Sequence, residues 1–153
     1  MTDCSLCPAL CASRRQIVQF TSSTGGILAI GEAPGREEDL AGEGFVGSAG
    51  QKLDALFLEH GITREQYGRA NVVKCRPEGN RRPVRAEIDR CLPNLAEFLL
   101  EMSPRVIVAV GAWPTKALYG PGLLNVRITE SRASNGRPSL DSAHPALREV
   151  VSP

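Results

Sequence analysis

The stretch Gly26-Ile-Leu-Ala-Ile-Gly-Glu-Ala-Pro-Gly35 joins a short apolar run to a loop rich in glycine and proline. A nearly continuous apolar run of this length, bounded by glycines, is typical of a strand buried on both faces of a parallel sheet. The Gly-Glu-Ala-Pro-Gly segment that follows cannot continue a regular element. The sequence therefore predicts a buried strand at 26–30 that ends in a loop, and this loop is expected to run on to Gly50.

Strand and helix patterns alternate along the rest of the chain. Further strands are predicted at 70–74 and 105–110, and a weaker last strand at 139–143. Helices are predicted over 51–60, 85–102 and 113–119, where apolar residues recur at helical spacing. This alternation indicates βαβ units, and therefore an α/β fold in which a mostly parallel sheet carries helices on both faces.

Length and composition limit the possible classes of protein. The 153 residues suit one domain spanning 1–153. Lys and Arg number 18 against 17 Asp and Glu, a balance that excludes a strongly basic polymer-coating protein and an acidic disordered one. Aromatic residues make up only 5%, which argues against broad base-stacking platforms. Without a long apolar run or a secretory pattern at the N-terminus, we expect no membrane segment and a cytoplasmic protein.

Polar residues follow several of the predicted strands. The carboxyl ends of the predicted strands carry Glu32, Asn71 with the loop that follows it, Gly111 and His144. Open parallel sheets bind their ligands outside these ends, so the residues are expected to converge on one edge of the sheet. The other histidine, His60, ends a predicted helix and is expected to face solvent or cap that helix.

The cysteines form a second candidate site. Cys4 and Cys7 are spaced as a C-x2-C pair, and Cys75 and Cys91 flank an arginine-rich loop and the start of the long helix. Four thiolates could hold tetrahedral zinc or a 4Fe–4S cluster, and the spacing alone does not decide between them. Cys75 and Cys91 could instead be ordinary buried thiols. Cys11 is a rival ligand, which we interpret as an ordinary thiol or as one that lies near the metal centre without binding it.

Four motifs follow one another in register along the chain. They are the Cys4/Cys7 pair, the loop Gly31-Glu-Ala-Pro-Gly-Arg-Glu-Glu-Asp39 with Gly44-Phe-Val-Gly-Ser-Ala-Gly-Gln51, the segment Asn71-Val-Val-Lys-Cys-Arg-Pro-Glu-Gly-Asn-Arg81 with Cys91 beyond it, and Ser142-Ala-His-Pro-Ala-Leu147. Together they resemble the motifs of the family 4 (iron–sulfur) uracil-DNA glycosylases. The resemblance covers nearly the whole chain. It implies a three-layer αβα sandwich around a small sheet of about four mostly parallel strands.

The same resemblance implies an activity, a partner and a cofactor. The activity is excision of uracil from DNA by a monofunctional glycosylase, which leaves free uracil and an abasic site. The implied partner is uracil-containing DNA, and the protein is expected to act as a monomer. The implied cofactor is a structural 4Fe–4S cluster held by Cys4, Cys7, Cys75 and Cys91, with zinc as the alternative.

The implied uracil pocket needs groups that recognise an extruded base. Phe45 is expected to stack on the flipped ring. Asn71 carries both an amide donor and an acceptor, so it can pair with uracil N3–H and O4 together. Cytosine presents the reverse pattern and would leave both groups unpaired. His144 is expected near uracil O2, where a donor would stabilise the anion that develops as the bond breaks.

The water-activating group is the least determined role. Ala33 occupies the position at which cluster-free glycosylases carry an aspartate, and alanine cannot activate water. Glu32 and Glu38 are the carboxylates that remain near the loop, and the resemblance implies that both lie around the uracil together with Ala33. Glu37 and Asp39 are expected to be solvated charges.

DNA contact is expected from basic residues beside the cysteines and from one apolar side chain. The basic residues are Arg76, Arg81, Arg82 and Arg85, with Arg14 and Arg15 near the N-terminus. Leu147 is expected to enter the gap left by the extruded base.

A related class of proteins traps uracil-DNA covalently through a histidine in an inserted loop, but residues 75–91 contain neither a histidine nor an insertion. A non-catalytic DNA-binding module and a zinc-binding scaffold remain the alternatives.

Overall fold

The computed structural model describes residues 3–119 of the chain. Five helices and three strands follow one another in the order α1 Pro8–Ser13, β1 Ile27–Gly31, α2 Arg36–Ala41, α3 Ser48–Glu59, β2 Tyr67–Asn71, α4 Arg85–Met102, β3 Val106–Ala109 and α5 Ala112–Tyr119. Short 3-10 turns at Arg64–Gln66 and Glu78–Asn80 precede β2 and α4 respectively.

The three strands form a parallel sheet with β1 in the middle. Its strand order is β2-β1-β3, so each neighbour of β1 is reached by a crossover. Ile27 lies opposite Tyr67 on one side and Val106 on the other, and at the carboxyl end Gly31 lies opposite Asn71. This register brings the loop after β1 beside the end of β2.

Alternate residues of β1 enter two separate cores. Leu28 and Ile30 pack with the apolar side of α4 and with Leu118 of α5. Ala29 enters the other core, which contains Phe45, Tyr67 and Leu53 of α3. Because successive side chains of a strand point to opposite faces, α4 and α5 lie on one face of the sheet and α3 on the other. The predicted α/β fold with helices on both faces is confirmed.

One predicted strand, β2, is displaced along the sequence, and two helices, α1 and α2, were not predicted. β2 begins and ends three residues earlier than predicted, because Val72 and Val73 are fully buried in the connection that follows the strand. Their N–H groups donate to the carbonyls of Gly31 and Glu32, which extends the pairing past the regular sheet. α2 lies within the segment predicted to be loop.

The remaining predicted elements agree with the structure to within three residues. The strands at 26–30 and 105–110 correspond to β1 and β3, and the long helix at 85–102 matches α4 at both ends. The predicted fourth strand at 139–143 lies outside the described residues. No helix within residues 3–119 is both long enough and apolar enough to span a membrane.

Candidate functional site

The loop after β1 and the end of β2 meet at one point, and together residues 31–47 and Asn71 are called the loop site. A Cβ atom on Gly31 would collide with the amide oxygen of Asn71 and would lie 2.9 Å from Cζ of Phe45. Only a residue without a side chain fits between these two groups. The structure therefore brings Phe45 and Asn71 together, as the resemblance implies.

Asn71 is a buried polar residue whose side chain lacks protein partners. It is 6% exposed, and neither atom of its amide group makes a hydrogen bond within residues 3–119. Among residues 3–119, the buried side-chain polar atom that lacks a partner is Nε of Arg69, so the amide atoms of Asn71 are not fully enclosed and can be reached from outside. The group is therefore available for a ligand that offers one donor and one acceptor.

Phe45 has an unusual backbone for a non-glycine residue. Its φ is 59°, in the left-handed region, which costs on the order of 1–3 kcal/mol. α3 packs directly against this backbone, because a side chain at Gly50 would collide with Phe45. Arg64, which the sequence analysis did not single out, donates to the carbonyls of Gly44 and Phe45 from the other side.

The two predicted carboxylates have different surroundings. Glu38 accepts from the N–H of Gly35 at 3.1 Å through one oxygen and from the N–H of Gly47 at 2.8 Å through the other. It therefore ties the two ends of the loop together and caps α2. Glu32 is half-buried, and its carboxylate makes no hydrogen bond or ion pair with the residues that the structure describes. Ala33 contacts the larger core.

One of the two carboxylates expected to be solvated is buried instead. Asp39 is 4% exposed and accepts from the backbone N–H groups of Arg15 and Gln16. It fastens the segment after α1 to α2. The expectation of a solvated charge run is wrong at this position, whereas Glu37 is exposed as expected. His60 is exposed and caps the C-terminus of α3, also as expected.

The cysteines gather where α1, α4 and the chain after β2 meet, and this group is called the cysteine region. Cys4, Cys7 and Cys91 pack against the core cluster that contains Cys75, and the five cysteines of the described residues are free thiols. Cys11 donates to the carbonyl of Cys4. Within residues 3–119, no three His, Cys, Asp or Glu side chains are grouped closely enough to hold a single metal ion.

Burial and mutual repulsion act on these thiols. Burial, together with the nearby thiols of Cys75 and Cys7, raises the pKa of Cys91 to about 11. Burial also raises the pKa of Cys75 and of Cys7, and both are affected by Cys4. Such thiols ionise at neutral pH only when a positive partner compensates for burial.

Most of the predicted DNA-binding arginines have partners within the protein. Arg81 forms a bidentate ion pair with the buried Glu87, Arg85 pairs with Asp89, and Arg76 donates to Asn80. Arg82 is exposed and makes no side-chain hydrogen bond or ion pair inside the described part of the chain.

The two arginines near the N-terminus differ as well. Arg14 turns inward and donates to the thiol sulfur of Cys75 at 3.1 Å and to the carbonyl of Cys4 at 2.8 Å. Arg15 is exposed. His144 and Leu147 lie outside the described residues, so their predicted roles remain predictions.

Comparison with known proteins agrees with this arrangement. Residues 18–151 match the model of the uracil DNA glycosylase superfamily. The chain is 40% identical over 116 residues to the type-4 uracil-DNA glycosylase of Pyrobaculum aerophilum, covering 76% of this chain and 59% of that protein.

Two further relatives bear the same name. The chain is 41% identical over 109 residues to the type-4 uracil-DNA glycosylase of Thermotoga maritima, covering 71% of this chain and 57% of that protein. It is 42% identical over 93 residues to the one from Archaeoglobus fulgidus, covering 61% and 47%. The chain belongs to the uracil DNA glycosylase superfamily, and it spans about half the length of these curated relatives.

Proposed function

We propose that this protein hydrolyses the N-glycosidic bond of uracil in DNA, releasing uracil and leaving an abasic site. The observation that carries the proposal is the buried, unpartnered amide of Asn71 beside Phe45. Its oxygen can accept from uracil N3–H while its nitrogen donates to O4. Cytosine would set donor against donor and acceptor against acceptor, which a buried site penalises strongly.

The loop supplies the rest of the base-binding surface in this proposal. Extruding a base from the stack costs a few kcal/mol, which contacts in the pocket must offset. Phe45 stacks on the extruded ring, and backbone N–H groups near Glu32 and Ala33 donate to its carbonyls. His144 donates to uracil O2 and stabilises the negative charge that develops on the leaving base.

Glu32 is the better candidate of the two carboxylates for orienting the attacking water. Its carboxylate has no partner among residues 3–119, whereas both oxygens of Glu38 accept from backbone N–H groups. A group that handles a proton must be free to approach the water. We propose that Glu38 contributes to uracil binding by holding the loop closed.

DNA binding is proposed for four arginines around the cysteine region, of which Arg76 is half-buried and the others are exposed. Arg76, Arg81, Arg82 and Arg85 approach the phosphates, and Leu147 fills the gap left by the base. Among these arginines, Arg82 contributes most to DNA binding. The ion pairs of Arg81 and Arg85 would have to open before either side chain could bind a phosphate. We further propose a monomer acting in the cytoplasm, where a reducing environment keeps thiols free.

We propose that Cys4, Cys7, Cys75 and Cys91 hold a structural 4Fe–4S cluster. The donor set fits, since two of the four free thiols come from the segment before α1, one from the chain after β2 and one from α4. One zinc ion needs every sulfur at about 2.3 Å, and no such compact group exists within residues 3–119. A four-iron cluster binds each thiolate at a separate iron, so its ligands stand farther apart. When bound, it would join the N-terminal segment to the arginine loop.

Release of uracil from a labelled single-uracil oligonucleotide, followed by alkaline cleavage of the abasic site, tests the function. We expect strand scission with the native protein, and a loss of about 1,000-fold or more with Asn71→Ala, because the lost pairing distinguishes uracil. Asn94→Ala is the matched control, since that amide donates to the carbonyl of Cys91 on α4.

Two results would contradict the proposal in different ways. If the native protein binds uracil-DNA but yields no scission, the alternative of a non-catalytic binding module holds. If Asn71→Ala cleaves as fast as Asn94→Ala, the protein recognises uracil elsewhere. The double variant Asn71→Ala, His144→Ala is expected to show no detectable scission.

A further inference from the structure

Arg64 contacts the loop site through both terminal nitrogens of its guanidinium group. Nη1 donates to the carbonyl of Phe45 at 2.9 Å and to Asp54 at 2.9 Å. Nη2 donates to the carbonyl of Gly44 at 2.9 Å and to Glu43 at 3.0 Å. One side chain therefore fixes two successive peptide groups of the loop.

These two carbonyls belong to the part of the loop that needs support. Phe45 has a left-handed backbone at φ 59°, a conformation that non-glycine residues rarely adopt. A planar guanidinium can donate to two carbonyls and two carboxylates in one fixed arrangement, whereas an ammonium group cannot. Arg64 is therefore suited to hold the strained backbone that directs the Phe45 ring.

The acidic partners of Arg64 are themselves fixed by the protein. The buried Arg69 donates to the same oxygen of Glu43 at 3.0 Å and to the backbone carbonyl of Arg64 at 2.9 Å. The hydroxyl of Tyr67 donates to Asp54. Burial, with Asp54 nearby, raises the pKa of Tyr67 to about 12, so this hydroxyl keeps its proton at neutral pH.

We propose that Arg64 is a positioning residue for the Phe45 ring in uracil excision. It acts by holding the 44–45 peptide groups so that the ring lies beside Asn71 before the base arrives. The inference rests on the proposed function, because it assigns the ring its role against the extruded uracil. The proposal adds to the site a residue, Arg64, that lies more than a dozen positions after the end of the loop motif at Gln51.

The first test compares Arg64→Gln with Arg105→Gln. Arg105 also donates to a backbone carbonyl, that of Gly25, but it lies at the opposite end of the sheet. We expect Arg64→Gln to lower the single-turnover rate of uracil release by about 10- to 100-fold, since small displacements of a positioning group carry penalties of this size. Binding of the same oligonucleotide without uracil should not change, and Arg105→Gln should retain the native rate.

A double-mutant cycle with Phe45→Leu separates positioning from general destabilisation. If Arg64 acts through the ring, Arg64→Gln should slow excision much less in the Phe45→Leu background than in the native one. The fall in melting temperature should be similar in both backgrounds. Equal rate factors in the two backgrounds would overturn the inference.

Two further results keep the test decisive. If Arg64→Gln does not fold, Arg64→Lys retains the positive charge between Glu43 and Asp54 but cannot hold both carbonyls, and a native rate for it would overturn the inference. If the native protein releases no uracil, the proposed function fails. If it does and Arg64→Gln matches Arg105→Gln, only the role of Arg64 fails.

Discussion

The loop site and the cysteine region use polar side chains in opposite ways. In the loop site, the buried amide of Asn71 and the carboxylate of Glu32 have no hydrogen-bond partner within the described residues. In the cysteine region, Arg14 donates to Cys75, and Arg81 is paired with the buried Glu87. These two groups of the loop site thus lack protein partners, whereas Arg14, Arg81 and Glu87 beside the cysteines have them.

This difference helps to separate groups that meet a substrate from groups that maintain the fold. A polar group that the protein leaves without a partner, at a place that a ligand can reach, is available to bind that ligand. Paired groups stabilise the fold and are less available to a ligand. Glu38 lies in the loop site, but both of its oxygens accept from backbone N–H groups. In this respect it is like the paired groups beside the cysteines.

Removal of a cysteine is expected to have the largest effect among the tests that compare the cysteine region with the loop site. Cys75→Ala should lose the iron of the proposed cluster and its absorbance, and should lower the melting temperature by about 10 °C or more, because metal binding contributes directly to folding free energy. Metal analysis and a thermal melt measure both effects. An unchanged melting curve would contradict a structural role for the cluster.

Cys11→Ala is the matched control for that experiment. Its thiol donates to the carbonyl of Cys4 and is not one of the four proposed ligands. We expect the variant to retain its metal and nearly all of its stability. Loss of the metal from this variant instead would make Cys11 a ligand and change the proposed set.

A second test compares the two carboxylates of the loop site. Glu32→Gln should lower the single-turnover rate of uracil release by about 100-fold without altering the melting temperature, because its proposed role is to orient the water and its carboxylate has no partner within residues 3–119. Glu38→Gln should lower the melting temperature as well, because an amide nitrogen would face a backbone N–H. If Glu38→Gln alone slowed the reaction without destabilising the protein, the two roles would be reversed.

The regular elements could be predicted because their burial follows sequence periodicity. β1 and α4 were predicted almost residue by residue, since one is an apolar run between glycines and the other has apolar residues at helical spacing. β2 was displaced because Val72 and Val73 are buried outside a strand. An apolar run indicates that a segment is buried, but it does not show whether that segment is a strand or an irregular connection.

The contacts that shape the loop site could not be predicted in this way. α2 begins after Ala33-Pro34-Gly35, and the group that caps it is the side chain of Glu38 rather than the side chain of a residue before the helix. Arg64 reaches the loop from about twenty residues away, and no local pattern marks that approach. The resemblance brought Asn71 and Phe45 into one site, whereas the residues that hold them there became visible only in the structure.

A third test concerns the acid stability of the cysteine region. The hydrogen bonds from Arg81 hold the pKa of Glu87 below its ordinary value of 4.5, so ionised Glu87 stabilises the fold above that pH. The contribution is lost as the pH falls through the lowered pKa. Glu87→Gln should reduce the free energy of unfolding by about 1–2 kcal/mol at neutral pH.

The pH dependence of that difference is the diagnostic measurement. Denaturant unfolding of the native protein and Glu87→Gln should converge as the pH falls towards about 2, because both then carry a neutral side chain. Glu97→Gln, an exposed change on the same helix, should show little difference at any pH. A gap between the native protein and Glu87→Gln that does not narrow in acid would mean that the ion pair with Arg81 is not its origin.

The smallest expected effect distinguishes paired from unpaired arginines in DNA binding. Arg82 has no partner within residues 3–119, whereas Arg81 would have to leave Glu87 to reach a phosphate. Arg82→Ala should therefore reduce the slope of log K against log salt concentration by about one, and Arg81→Ala by less. Titrating a uracil-free oligonucleotide at several salt concentrations measures both slopes. A larger change for Arg81→Ala would mean that its ion pair opens on DNA, and the contrast between the two sites would then hold only for the free protein.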